Sequence, residues 1–70
     1  MIYEVQIIYM DPIAERVESI TIKTDTIQAA KGIVSDKYYN NVYGMGYKIK
    51  CNDDVLEVGG LARDENCNRH

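Results

Sequence analysis

Seventy residues, 46% apolar and lacking Trp and Phe, suffice for one domain with a thin core. A chain this short buries only about 60% of the surface its unfolded form exposes, which excludes a deep catalytic cleft. The net charge of −3 and pI of about 4.9 argue against non-specific binding to a phosphate backbone, because the eight basic residues are interleaved with eleven acids rather than clustered.

The opening residues Met-Ile-Tyr-Glu carry no basic or apolar leader, and no apolar run approaches the ~20 residues that span a bilayer. A cytoplasmic location without membrane contact is therefore expected, where Cys51 and Cys67 stay reduced.

Residues Ile2 to Met10 read as a strand, with Tyr3, Val5, Ile7 and Tyr9 on one face and Glu4 and Gln6 on the other. The second face also carries Ile2, Ile8 and Met10, so it is either ordinary exposed surface or covered, for example by a second subunit. Asp11-Pro12 breaks the strand, since proline presets φ for a turn and the aspartate can accept from turn amides. Arg16 to Lys23 read as a second strand. Ile20 and Ile22 share a face while Val17 has the opposite parity, and a bulge near Glu18-Ser19 would reconcile them.

Thr24, Asp25 and Thr26 offer N-cap oxygens, and Asp25 with Gln28 has the spacing of a capping-box variant. The helix that follows presents Ile27, Ala30, Ile33 or Val34, and Tyr38 as an apolar stripe. Gly32 interrupts it, either as a tolerated weak spot or because a neighbour approaches closely. Asn40-Asn41 should close the helix, since asparagine tolerates the left-handed conformation.

Met45, Tyr47, Ile49 and Cys51 alternate with Lys48 and Lys50 as a third strand. Asn52-Asp53-Asp54 supplies a turn, and Val55 to Val58 return as a fourth strand ended by Gly59-Gly60. The expected fold is α+β: a four-stranded antiparallel sheet with one helix on one face, in the order β-β-α-β-β. It places Ile27, Ala30, Val34 and Tyr38 on Val5, Ile7, Ile20, Ile22, Tyr47 and Ile49. Residues 1–60 form the domain, and the polar residues 61–70 read as a C-terminal tail.

Chemistry is sparse. Cys67 and His70 have C-x-x-H spacing, but a zinc site needs three or four ligands and no fourth soft ligand is present, so no metal or cofactor is expected. Cys51 reads as a small buried hydrophobe. The lone histidine is the last residue, and Asp53-Asp54 sits in a hydrated turn, so an enzyme is not expected. Tyr43-Gly-Met-Gly-Tyr47 follows a helix rather than preceding one, unlike phosphate-binding glycine loops.

The sharpest functional signal is aromatic. Four of the six tyrosines fall between Tyr38 and Tyr47, together with asparagine and glycine, a combination typical of protein-binding loops. Tyr38 and Tyr47 are expected in the core, leaving Tyr39, Asn40, Asn41, Tyr43 and Met45 as the candidate contact residues. The leading expectation is a non-enzymatic protein-binding module that occupies a partner protein's surface through this loop or the open sheet face, with a homodimer through that face compatible. The alternative is a nucleic-acid-binding domain using Lys23, Lys31, Lys48 and Lys50 if folding gathers them on one face. A metal-binding or thiol-dependent protein is the third reading. In size, absence of catalytic motifs and use of Ile, Asn, Tyr and Lys, the chain resembles small accessory proteins of phages and mobile elements, including inhibitors of host systems. That resemblance is compositional.

Overall fold

The computed structural model describes residues 1–60. Two antiparallel hairpins flank one helix. Strands β1 (Tyr3–Asp11) and β2 (Arg16–Thr24) form the first hairpin, and β3 (Gly44–Cys51) and β4 (Asp54–Gly60) the second. Helix α1 (Ile27–Val34) crosses between them and runs on into a π-helical turn, Ser35–Tyr39. The four strands make one antiparallel sheet in the order β2-β1-β3-β4, so the first and third strands are central. The tail expected at 61–70, with Cys67 and His70, lies outside the described residues.

Local chemistry fixes the connections. Asp11 Oδ1 accepts from the amides of Ile13 (2.9 Å) and Ala14 (3.1 Å), closing the first hairpin. Thr26, in extended conformation, caps α1 by accepting from the Ala29 amide at 3.1 Å. Of the three candidate N-cap residues, Thr26 is the one used, and the Asp25–Gln28 capping-box spacing is not. Ala29 occupies the position where a capping box needs a Glu or Gln, so the interaction is one-sided.

Three further expectations are corrected. The β1–β2 register runs without a break from Tyr3↔Thr24 to Asp11↔Arg16, so no bulge occurs at Glu18-Ser19 and Val17 simply faces away from the helix. The irregularities fall instead at Ile8/Tyr9 opposite β3 and at Ile49/Lys50 opposite β4. The helix closes without a left-handed asparagine: Asn40 has φ −97°, and its amide donates to Ser35 O across the wide turn. Gly59 and Gly60 belong to β4 rather than ending it.

The core lies between α1 and the central strands. Val5, Ile7 and Ile49 are fully buried beneath Ala30 and Val34, with Tyr47 and Cys51 buried beside them. Each such aliphatic side chain contributes roughly 1.5–3 kcal/mol by leaving water. On the edge strand β2 the cover thins. Ile22 is only half-buried, and Ile20, expected in the core, is 36% exposed.

Two glycines have opposite roles. A Cβ added at Gly32 meets nothing within 4 Å, so the close-approach reading fails there. A Cβ at Gly59 would stand 2.2 Å from Tyr47 Cε1, because the tyrosine ring lies across the glycine on the neighbouring strand. Gly32→Ala should therefore stabilise the fold by about 0.5–1 kcal/mol. Gly59→Ala should destabilise it by about 1–3 kcal/mol, since the ring is penned in by its neighbours. Urea denaturation of the two variants checks both signs.

Candidate functional site

The tyrosines divide into a packed cluster and an exposed remainder. Tyr38, on the π-helical turn, lies 4.9 Å from Tyr39 edge-on and 5.0 Å from Tyr47 between ring centroids. Tyr39 and Tyr47 are 6.0 Å apart. These are contact distances for aromatic pairs. A cation held between two rings needs a wider gap, so the three rings form a packing unit, not a cage.

Tyr47 anchors the cluster. Its hydroxyl donates to Glu57 Oε2 at 2.5 Å and stands 3.5 Å from the Tyr39 hydroxyl. Burial pushes the Tyr47 phenol well above its ordinary range. The hydrogen bond to the Glu57 carboxylate raises it further, followed by that with Tyr39.

The expected contact loop is thus partly structural. Tyr39 is 67% exposed yet leans on Tyr38 and Tyr47. Asn40 is exposed. Asn41 is spent on the backbone: its Nδ2 donates to Lys37 O at 3.1 Å and its Oδ1 accepts from the Tyr43 amide at 3.0 Å. Met45 is the half-buried extra residue at the β1–β3 irregularity. Tyr43 remains available and is half-exposed.

The open sheet face, the other contact surface expected from the sequence, takes in part of this loop. Met10 N donates to Tyr43 O at 2.9 Å, which extends the sheet and brings the 40–43 loop beside the end of β1. Met10 is also the register partner of Val17. Val17, Met10 and Tyr43 therefore form a row across the sheet face opposite the helix. Two loop tips stand at this same end of the molecule, carrying Ile13 (94% exposed) and Val42 (91% exposed). No periodicity could reveal this grouping, since its members come from the first hairpin and from the loop that precedes the second.

The rest of that face changes character along the strands. Across the four strands, Ser19, Ile8, Gly46 and Gly60 make one row, Thr21, Gln6, Lys48 and Val58 the next, and Lys23, Glu4, Lys50 and Val55 the last. None of the side chains of this face on β1, β2 and β3 is buried, and no other described element packs on it. At its far end a depression of about 590 Å³ is lined by Ile2, Glu4, Lys23, Lys50, Asn52 and Asp53. Lys23 Nζ lies 3.9 Å from Glu4 Oε1, an exposed pair that contributes little to stability. Folding thus gathers Lys23, Lys48 and Lys50 on one face. Lys31 lies elsewhere, on the exposed side of α1.

Among the described residues no group of His, Cys, Asp and Glu has metal-binding geometry, and Cys51 is a free, buried thiol opposite Tyr3. No described helix is long and apolar enough to cross a membrane. No known protein family, curated protein or solved structure matches the chain.

The Tyr47 geometry makes stability depend on pH. A phenol whose folded pKa is raised keeps its proton after the unfolded chain has lost it. Its contribution is therefore complete below the ordinary tyrosine value of about 10 and lost as pH rises beyond it. Thermal melts should show stability falling above pH ~10. Tyr47→Phe should flatten that fall while costing about 1 kcal/mol at neutral pH for the lost hydroxyl bonds. An equal alkaline fall in both proteins would show that the phenol does not carry it.

Proposed function

We propose that this chain is a non-enzymatic protein-binding module that acts by occupying a partner's surface with the open face of its sheet. The observation that carries this reading is a group of unburied apolar side chains at the loop end of that face, with Ile2 and Val55 also exposed toward its other end. Val17, Met10 and Tyr43 stand in a row there, between loop tips that hold Ile13 and Val42 almost wholly in solvent. Exposed apolar residues scattered singly need no explanation, whereas a contiguous group drawn from separate parts of the chain marks a contact surface. Tyrosine and methionine are also side chains that interfaces favour.

The contact residues of this module are Met10, Ile13, Val17, Val42 and Tyr43. Tyr43 is retained from the loop Tyr39 to Met45, while Asn41 serves to hold that loop against the helix end. The partner is a protein, and the effect is steric.

Val17→Asp combined with Tyr43→Ala should leave stability within about 0.5 kcal/mol, as both positions are half-exposed. The double variant should weaken partner binding at least tenfold, or about 1.4 kcal/mol. Parallel affinity capture from the native cell, followed by calorimetry on the recovered partner, measures the difference. Equal capture by wild type and variant would refute the proposal.

A further inference from the structure

We infer that the open sheet face takes an acidic polypeptide segment, one that sets apolar side chains on the Val17–Met10–Tyr43 row and carboxylates on Lys23, Lys48 and Lys50. This rests on the reading of that face as the binding surface, and it names the partner's chemistry. Charge segregation is the basis. On β1, β2 and β3 the face carries three lysines and one glutamate, while the remaining described residues carry three basic and eight acidic side chains. An acidic protein has therefore kept its open face positive, and the acids lie on the helix, the turns and the opposite face. Such a field selects acidic partners and repels basic ones, acting on encounter rate and specificity.

The spacing adds a length. From the Met10 row to the Glu4 row is six residues along β1, or about 20 Å at ~3.4 Å per residue. The partner segment must hold its apolar and acidic groups that far apart. About six extended residues or thirteen helical ones suffice. The Lys48 row lies between and can take a second carboxylate.

A second copy of this chain fits the face poorly. A two-fold axis along the strands would stack lysine row on lysine row. An axis across them would press the lysines of each copy onto the apolar row of the other. The first arrangement sets like charges together, and the second strips ammonium groups of water without a partner. A phosphate polymer is matched less well than a polypeptide. Glu4 sits among the three lysines, Asp53 lies at the rim of the depression, and the opposite end of the face is apolar.

Selection of random peptides of about fourteen residues, long enough to span ~20 Å as strand or helix, on the immobilised full chain tests the inference. The expected peptides pair an apolar cluster with Asp and Glu. Their affinity, read by fluorescence anisotropy, should fall at least tenfold with Lys23→Gln, Lys48→Gln and Lys50→Gln combined. It should rise several-fold with Glu4→Gln, which removes the face's own acid and confirms the sign in a second fold-tested variant. Enriched basic or neutral peptides that are lost with Val17→Asp but not with the lysine substitutions would overturn the acidic partner and leave the binding face standing. Failure to enrich any peptide overturns the inference. So does tighter binding of a mixed-sequence single-stranded oligonucleotide, weakened by the same lysine substitutions, which would assign the face to nucleic acid instead.

Discussion

Helix α1 has eight residues and so is about 12 Å long, whereas each strand of the first hairpin has nine and runs about 30 Å. Complete burial is confined to where the helix lies, over Val5, Ile7 and Ile49. Every other part of the helix-side face must find cover elsewhere or go without. β2 is only thinly covered, which leaves Ile20 partly in water. On the other side the chain continues into a π-helical turn and lays Tyr38 and Tyr39 beside Tyr47. Large rings here substitute for a longer helix.

The tyrosine cover depends on a glycine. Tyr47 faces Gly59 across the β3–β4 pair, and its ring occupies the space that any side chain at Gly59 would need. The ring shields bare backbone near the sheet edge while its hydroxyl reaches Glu57, two residues earlier on the same strand. One side chain thereby joins the helix end to the edge strand. A phenol so placed is held neutral by burial and by donating to a carboxylate.

The opposite face shows a different economy. Its side chains are mixed: Val17, Met10 and Tyr43 stand at one end, while Lys23, Lys48 and Lys50 stand toward the other with Val58 and Val55 beside them on β4. The hydrogen bond from Met10 to Tyr43 matters most here. It ties the inter-hairpin loop to the first strand and so builds the apolar end from segments far apart in sequence.

The sequence alone determined the elements and their order. Alternation in β1 and β3, the proline-aspartate turn and the threonine-led helix are local signals, each written within a few residues, and all appear in the structure. It also determined most of the core, since period-two and helical stripes name the buried faces directly. What only the tertiary structure decided was everything that depends on who sits opposite whom. Val17 needed no bulge because its face is the open one, Tyr39 is drawn into a ring cluster, and Asn41 is consumed by backbone bonds. Strand order β2-β1-β3-β4 set three of the four candidate lysines on one face around Glu4 and separated Lys31 from them. Register and strand order arise from long-range pairing, and a one-dimensional pattern carries the faces of each strand but not its neighbours.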